Sequence, residues 1–209
     1  MQPALLPLFP LQSVVFPRVW LPLHIFEERY KQMVGQAIEN RSEFGIVLAK
    51  EEGIANAGCT VMVEKVMKKY PDGRMDIVAR GSRRFELLSL DDEEAWLRGE
   101  VEFFDDDDLE PPPPEVRESA LAQYKGLVET GGTRAFAEPN FSDPQLSFQL
   151  AQGIQDLDFL NVLLRNRSEA GRLRELNGFL SRYIPRLQRT RRMKELAPRN
   201  GFGGHSAGL

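Results

Sequence analysis

Residues 6–33, LPLFPLQSVVFPRVWLPLHIFEERYKQM, constrain the fold more than any other stretch of this chain. Two proline-punctuated apolar strands run directly into an amphipathic helix. Residues 5–9 and 19–25 read as strands whose prolines suit sheet edges, strand starts or bulges, because proline cannot donate to a central ladder. From residue 26 to 38, Phe26, Tyr30, Met33, Val34 and Ala37 recur at steps of three and four, the spacing of a helix with one buried face. Glu27 and Glu28 fall in its first turn, where they complement the helix dipole. Residues 44–49 form a compact apolar strand.

Residues 60–70 and 74–80 flank Pro71, Asp72 and Gly73. Proline fixes φ, aspartate bonds its own backbone and glycine accepts positive φ, so a β-hairpin is predicted there. Alternation continues through 85–90 and 96–104, with Arg98, Glu100 and Glu102 on one face and Leu97, Val101 and Phe103 on the other. Six or so strands with one early helix predict an α+β fold built on a small closed or nearly closed barrel, since closure removes exposed edges.

At residues 105–114 the chain reads DDDDLEPPPP. Like charges repel and a proline run favours an extended conformation, so this segment is expected to be a solvated acidic linker. Its adjacent aspartates lack the spacing that wraps a calcium ion. Beyond it the pattern turns helical: one helix from Val116 to Gly131, one over 145–154 capped by Asp143, a short one starting at Asp156, and a long one from Ser168 to about Leu196. In the last, Leu173, Leu176, Leu180, Tyr183 and Leu187 make a narrow apolar seam, and Pro185 is expected to kink it. The predicted units are therefore a barrel over 1–104, a linker over 105–114, a helical bundle over 115–197 and a flexible Gly-rich tail over 198–209.

A chain of 209 residues, 42% hydrophobic and 28% charged, can bury a real core and has the composition of an ordinary soluble protein. No run approaches the ~20 apolar residues of a spanning helix. The opening segment lacks a basic region and is broken by Pro3, Pro7, Pro10 and Pro17, so no signal peptide and a cytoplasmic location are expected. Cys59 is the only cysteine, which excludes an internal disulfide. His24 and His205 are far apart, so no metal, cofactor or His-based catalytic site is predicted. A net charge of -4 hides an asymmetry: residues 91–118 carry 13 acidic and 2 basic residues, residues 165–199 carry 11 basic and 3 acidic. The two segments could attract each other or separate partners.

Several segments in this order resemble the N-terminal domain family of Lon proteases: LPLFPL at 6–11, VVFP at 14–17, LPLHIFEERY at 21–30, FGIVL at 44–48 and GSRRFELLSL at 81–90. LNVLL at 160–164 and RLRELNGFL at 172–180 are similar in pattern. The resemblance implies a PUA-like barrel (the pseudouridine-synthase and archaeosine-transglycosylase type) followed by a helical bundle, and a non-catalytic, peptidase S16-like module for substrate recognition. Arg18 stands where many members have glycine, and Glu28 where proline is common. In Lon proteases this domain precedes an ATPase and a Ser-Lys protease; here no lysine follows a glycine, so no phosphate-binding P-loop is present. A stand-alone member without those domains, not an enzyme, is expected.

Unfolded or partly folded proteins are the expected partners, engaged as an adaptor in proteolysis or quality control beside a Lon-type protease. Trp20, Leu21, Phe26 and Tyr30 are the candidate apolar contacts, with Arg18 and Arg29 as rim charges. Each of these apolar residues taken singly also reads as core. The alternative is RNA binding through the basic C-terminal helix, RLQRTRRMK at 186–194, against an overall pI of about 5.4. An enzyme would have to use His24 with Glu27 or Glu28, a pairing that is more commonly structural.

Overall fold

The computed structural model describes residues 5–108, 110–133 and 135–196, with side chains to residue 193. Among the described residues six strands and five helices follow the order β1 (Leu6–Leu11), β2 (Trp20–Ile25), α1 (Glu28–Asn40), β3 (Phe44–Lys50), β4 (Gly53–Lys69), β5 (Met75–Asp91), β6 (Arg98–Phe104), α2 (Pro114–Glu129), α3 (Leu146–Leu150), α4 (Leu157–Arg165) and α5 (Glu169–Leu196). The fold is α+β. Its mixed sheet has the order β2-β5-β4-β3-β1-β6, and a further β5–β6 pairing returns the ladder to β5. β1 lies parallel to β3, with Leu8 opposite Gly45, because α1 carries the chain across between them.

The hairpin forms where the Pro-Asp-Gly turn places it, with Gly73 at φ 84 and the Arg74 amide donating to the Asp72 carboxylate. Its arms are longer than the alternation predicts. The strands expected over 74–80 and 85–90 merge into one, β5, since Gly81 and Arg84 stay paired with Val61 and Phe104 across the expected break. Phe26 is corrected too: α1 starts at Glu28, so Phe26 precedes the helix and is 60% exposed, while Tyr30, Met33, Val34 and Ala37 form the buried face.

Two cores result. The larger one joins one face of the sheet to α1 and the helical half, through Phe9, Phe16, Met33 and Ile77 on one side and Tyr124, Phe148, Leu163 and Leu176 on the other. A smaller one draws Leu8, Val47, Phe85, Ile54 and Val101 from all five strands of the closed circuit. Phe85 fills it because the facing positions are glycines: a Cβ on Gly58 would come within 2.5 Å of the Phe85 ring.

In the helical half, Leu173, Leu176 and Leu180 of the α5 seam are fully buried and pack with Ala120, Tyr124 and Leu127 of α2. Ser168 caps α5 by accepting from the Gly171 amide, and Asp156 caps α4 through the Phe159 amide. α5 continues through Pro185. The helix expected over 145–154 shrinks to α3, five residues long: Asp143 accepts from the Gln145 amide and from Arg18 instead of capping it, and the chain turns at residues 151–153, with Gly153 at φ 81. The tail expected to be flexible lies outside the described residues.

Candidate functional site

One residue of the acidic run departs from the solvated reading: Asp105, Asp107, Asp108 and Glu110 are exposed, whereas Asp106 is largely buried. Asp106 is 11% exposed and binds two buried guanidiniums, Arg84 at 2.6 Å and Arg172 through bonds of 2.5 and 2.7 Å, while Gln145 donates a fourth bond. Burial works against its charge, yet the bonds from Arg172 and Gln145 and the fields of both arginines hold its carboxyl down to about 2. Glu169 accepts from Arg172 and from the Ser147 amide and hydroxyl; burial pushes its pKa up against those partners. Asp107 pairs with Arg167, Asp105 with Arg83, and Asp108 accepts from Ser168. Asp106 and Asp107 of the acidic segment therefore pair with Arg172 and Arg167 of the basic one, and Asp106, bonded to Arg84 of β5 and Arg172 of α5 together, clamps the sheet to the helices.

Arg18 belongs to the same clamp. It sits at φ 61 in the loop before β2, and its guanidinium is committed to Asp143 and Gln145. It is a tie between the halves rather than a rim charge. Tyr30 is core as well: its ring stacks on Phe9 at 4.0 Å, and burial raises its pKa. His24 meets neither Glu27 nor Glu28. Its Nδ1 lies 2.6 Å from Asp76, whose other oxygen accepts from Tyr70, while Glu27 pairs with Arg29 and Glu28 with Lys31.

The remaining candidates divide between two clefts along β2. Pleating turns Trp20, Pro22 and His24 outward and packs Leu21 and Leu23 against the core. The first cleft, about 290 Å³, lies between the halves, lined by Val14, Trp20 and Leu21 from around β2 and by Phe136, Ile154 and Leu157 from the helical half, and among the described residues no ionisable side chain lines it. Trp20 is 39% exposed and Phe136 57%. Arg80, the cross-strand partner of Trp20, lies over its indole at 5.3 Å. The second cleft, about 410 Å³, is framed by Pro10, Leu23, His24, Phe26 and Arg29, with Tyr30 at its base. Trp20 and Leu21 thus share one surface, Phe26 and Arg29 another.

Phe136 and Arg80 escaped the sequence reading. Phe136 lies in a connection without periodicity, and Arg80 is visible as a neighbour of Trp20 only once the β2–β5 register is known. Among the described residues, no group of three or more His, Cys, Asp or Glu is placed to hold a metal ion, and no helix is long and apolar enough to cross a membrane.

A mixed sheet packed against a helical half, with a cleft lined by Trp20 and Phe136 between them, is an α+β domain of the Lon N-terminal type. Residues 5–178 match the profile of the ATP-dependent protease La (LON) substrate-binding domain, and the chain belongs to that family. The structure is similar to the crystal structure of a Lon N-terminal domain protein from Xanthomonas campestris, with TM-score 0.68 and 26% identity over 84% of this chain and 98% of that one. It shares the fold of the N-terminal domain of the Mycobacterium avium complex Lon protease, with TM-score 0.57 and 16% identity over 85% of this chain and 98% of that one. Lon proteases of Anaeromyxobacter dehalogenans and Parabacteroides distasonis are 32% and 28% identical to it over 120 and 110 residues, 52% and 48% of this chain. The matched parts are only 14% and 13% of those proteases, and they carry the substrate-binding domain rather than the ATPase or protease.

Proposed function

We propose that this protein is a non-catalytic cytoplasmic module that binds exposed apolar segments of unfolded or partly folded proteins, as an adaptor in proteolysis or quality control beside a Lon-type protease. The closed strand circuit is then a small PUA-like barrel, and β2 on its flank supplies the binding edge. One observation carries the reading: within the residues that match a substrate-binding domain, a cleft with no ionisable lining among the described residues holds two large, exposed aromatic side chains, Trp20 and Phe136. Apolar surface of this kind gains about 25 cal/mol per Å² when a partner covers it. Among the described residues no carboxylate or cation lines it, so an apolar side chain enters without desolvating one of those charges.

Titrating a permanently unfolded model protein against the chain, with Trp20 fluorescence and anisotropy as readouts, tests the proposal. Saturable binding is expected, weakened about tenfold by Trp20→Ala and by Phe136→Ala, with circular dichroism and Tm unchanged for the exposed Phe136. Wild-type binding no tighter than that of an unrelated soluble protein removes the reading.

A further inference from the structure

The far end of α5 carries a surface that the apolar clefts do not use. Between Asn177 and Met193 the helix has five arginines and no acidic residue. Arg182, Arg186 and Arg189 succeed one another at steps of four and three, so they form one row along the helix. None of the three has an acidic partner among the described residues; Arg182 donates only to the Gly178 carbonyl.

Beside that row runs an aromatic one. Phe159 of α4 stacks on Phe179 at 3.9 Å, and Phe179 stacks on Tyr183 at 4.9 Å. All three rings are half-buried, and among the described residues no second ring or cation covers Tyr183. Arg182 and Arg186 line a cleft of about 450 Å³ together with Phe179, Tyr183 and Thr190. Asp156 closes it on the α4 side, where its carboxylate caps the helix.

We infer that this cleft binds single-stranded nucleic acid, with phosphates along the arginine row and a base against Tyr183. Charge alone selects a polyanion, but the parallel rows select its geometry. A nucleic-acid strand presents phosphates along one edge and bases along the other over its whole length, whereas an extended acidic peptide alternates its side chains between two sides. Asp156 repels phosphate from the aromatic side and so fixes which edge faces which row. Arginine suits the role, since its planar fork both pairs with phosphate and stacks on rings.

The test is anisotropy of a labelled twelve-uridine strand with the full chain. Three phosphate contacts predict that affinity falls about 20-fold between 50 and 200 mM salt. Arg186→Glu with Arg189→Glu should raise Kd at least about tenfold, and Tyr183→Ala about fivefold, from loss of one stacked base. Trp20→Ala should leave Kd unchanged, and circular dichroism of each variant should match wild type. Equal competition by a twelve-residue polyglutamate peptide, or binding indifferent to the double charge reversal, overturns the inference and assigns the surface to acidic protein or to none.

Discussion

The guanidinium of Arg18 closes on the carboxylate of Asp143, 125 residues downstream, through bonds of 2.9 and 2.7 Å. It does so from φ 61, a left-handed conformation that costs an L-residue about 1–2 kcal/mol and glycine almost nothing. A side chain kept at that cost indicates that the tie outweighs the strain. Arg18→Ala should destabilise the protein by about 2 kcal/mol or more, because it leaves Asp143, only 4% exposed, without its cation. Arg18→Gly should recover about half of that by relieving the backbone. Urea denaturation of both variants decides it: equal losses would show that strain plays no part.

Asp106 gives the fold an acid-sensitive joint. Its carboxyl is held at about 2 against an ordinary 3.8, so the folded state keeps the charged form that the unfolded chain surrenders first. The linked stability is complete above the unfolded value, near pH 4 to 5, and is lost as pH falls toward 2; it amounts to about 2 kcal/mol. Asp106→Asn should flatten the stability profile across that window. At pH 7 the same change strands Arg84, leaves Arg172 with Glu169 as its one anionic partner among the described residues, and should cost about 3–5 kcal/mol. Stepwise urea titrations from pH 7 to 2 would expose a wild-type slope identical to that of the variant, the result that contradicts this account.

Phe85 and its facing glycines make a packing prediction with a built-in control. The three atoms nearest a Cβ at Gly45 all belong to side chains, Phe85 at 2.8 Å and Leu6 and Leu8 at 2.9 Å, whereas at Gly58 the Ile46 carbonyl lies at 2.5 Å. Overpacking of this kind costs about 1–3 kcal/mol. Phe85→Leu should therefore partly rescue Gly45→Ala and should fail to rescue Gly58→Ala, since a backbone oxygen cannot repack. A double-mutant cycle measured by thermal unfolding reads the difference directly.

Local patterns legible in the sequence were those set by neighbouring residues: the β2-to-α1 junction, the Pro-Asp-Gly hairpin, the caps at Asp156 and Ser168, and the leucine seam of α5. The relationships that shape the candidate site are long-range. Nothing around Asp106 announces that Arg84 and Arg172 will reach it, so a like-charge run reads as solvated until the helices dock. Arg18 looked like a rim charge for the same reason, its partner lying in a segment without periodicity. Trp20 and Leu21 could be nominated from composition and position, but Phe136 and Arg80 become their neighbours only through tertiary contact and strand register.

Cys59 offers a probe of that docking. It is fully buried on β4 between sheet and helices, and burial pushes its thiol up to about 12, so no thiolate is available at neutral pH. Alkylation under native conditions should then proceed only through opening of the core, with a rate that tracks global stability. Weakening the Asp106 clamp should speed labelling in proportion to the measured loss of stability, about tenfold for each 1.4 kcal/mol. Mass spectrometry after timed exposure to a thiol reagent at pH 8 gives the rates. Rapid stoichiometric labelling of the wild-type protein would mean that the strand carrying Cys59 opens independently of the clamp.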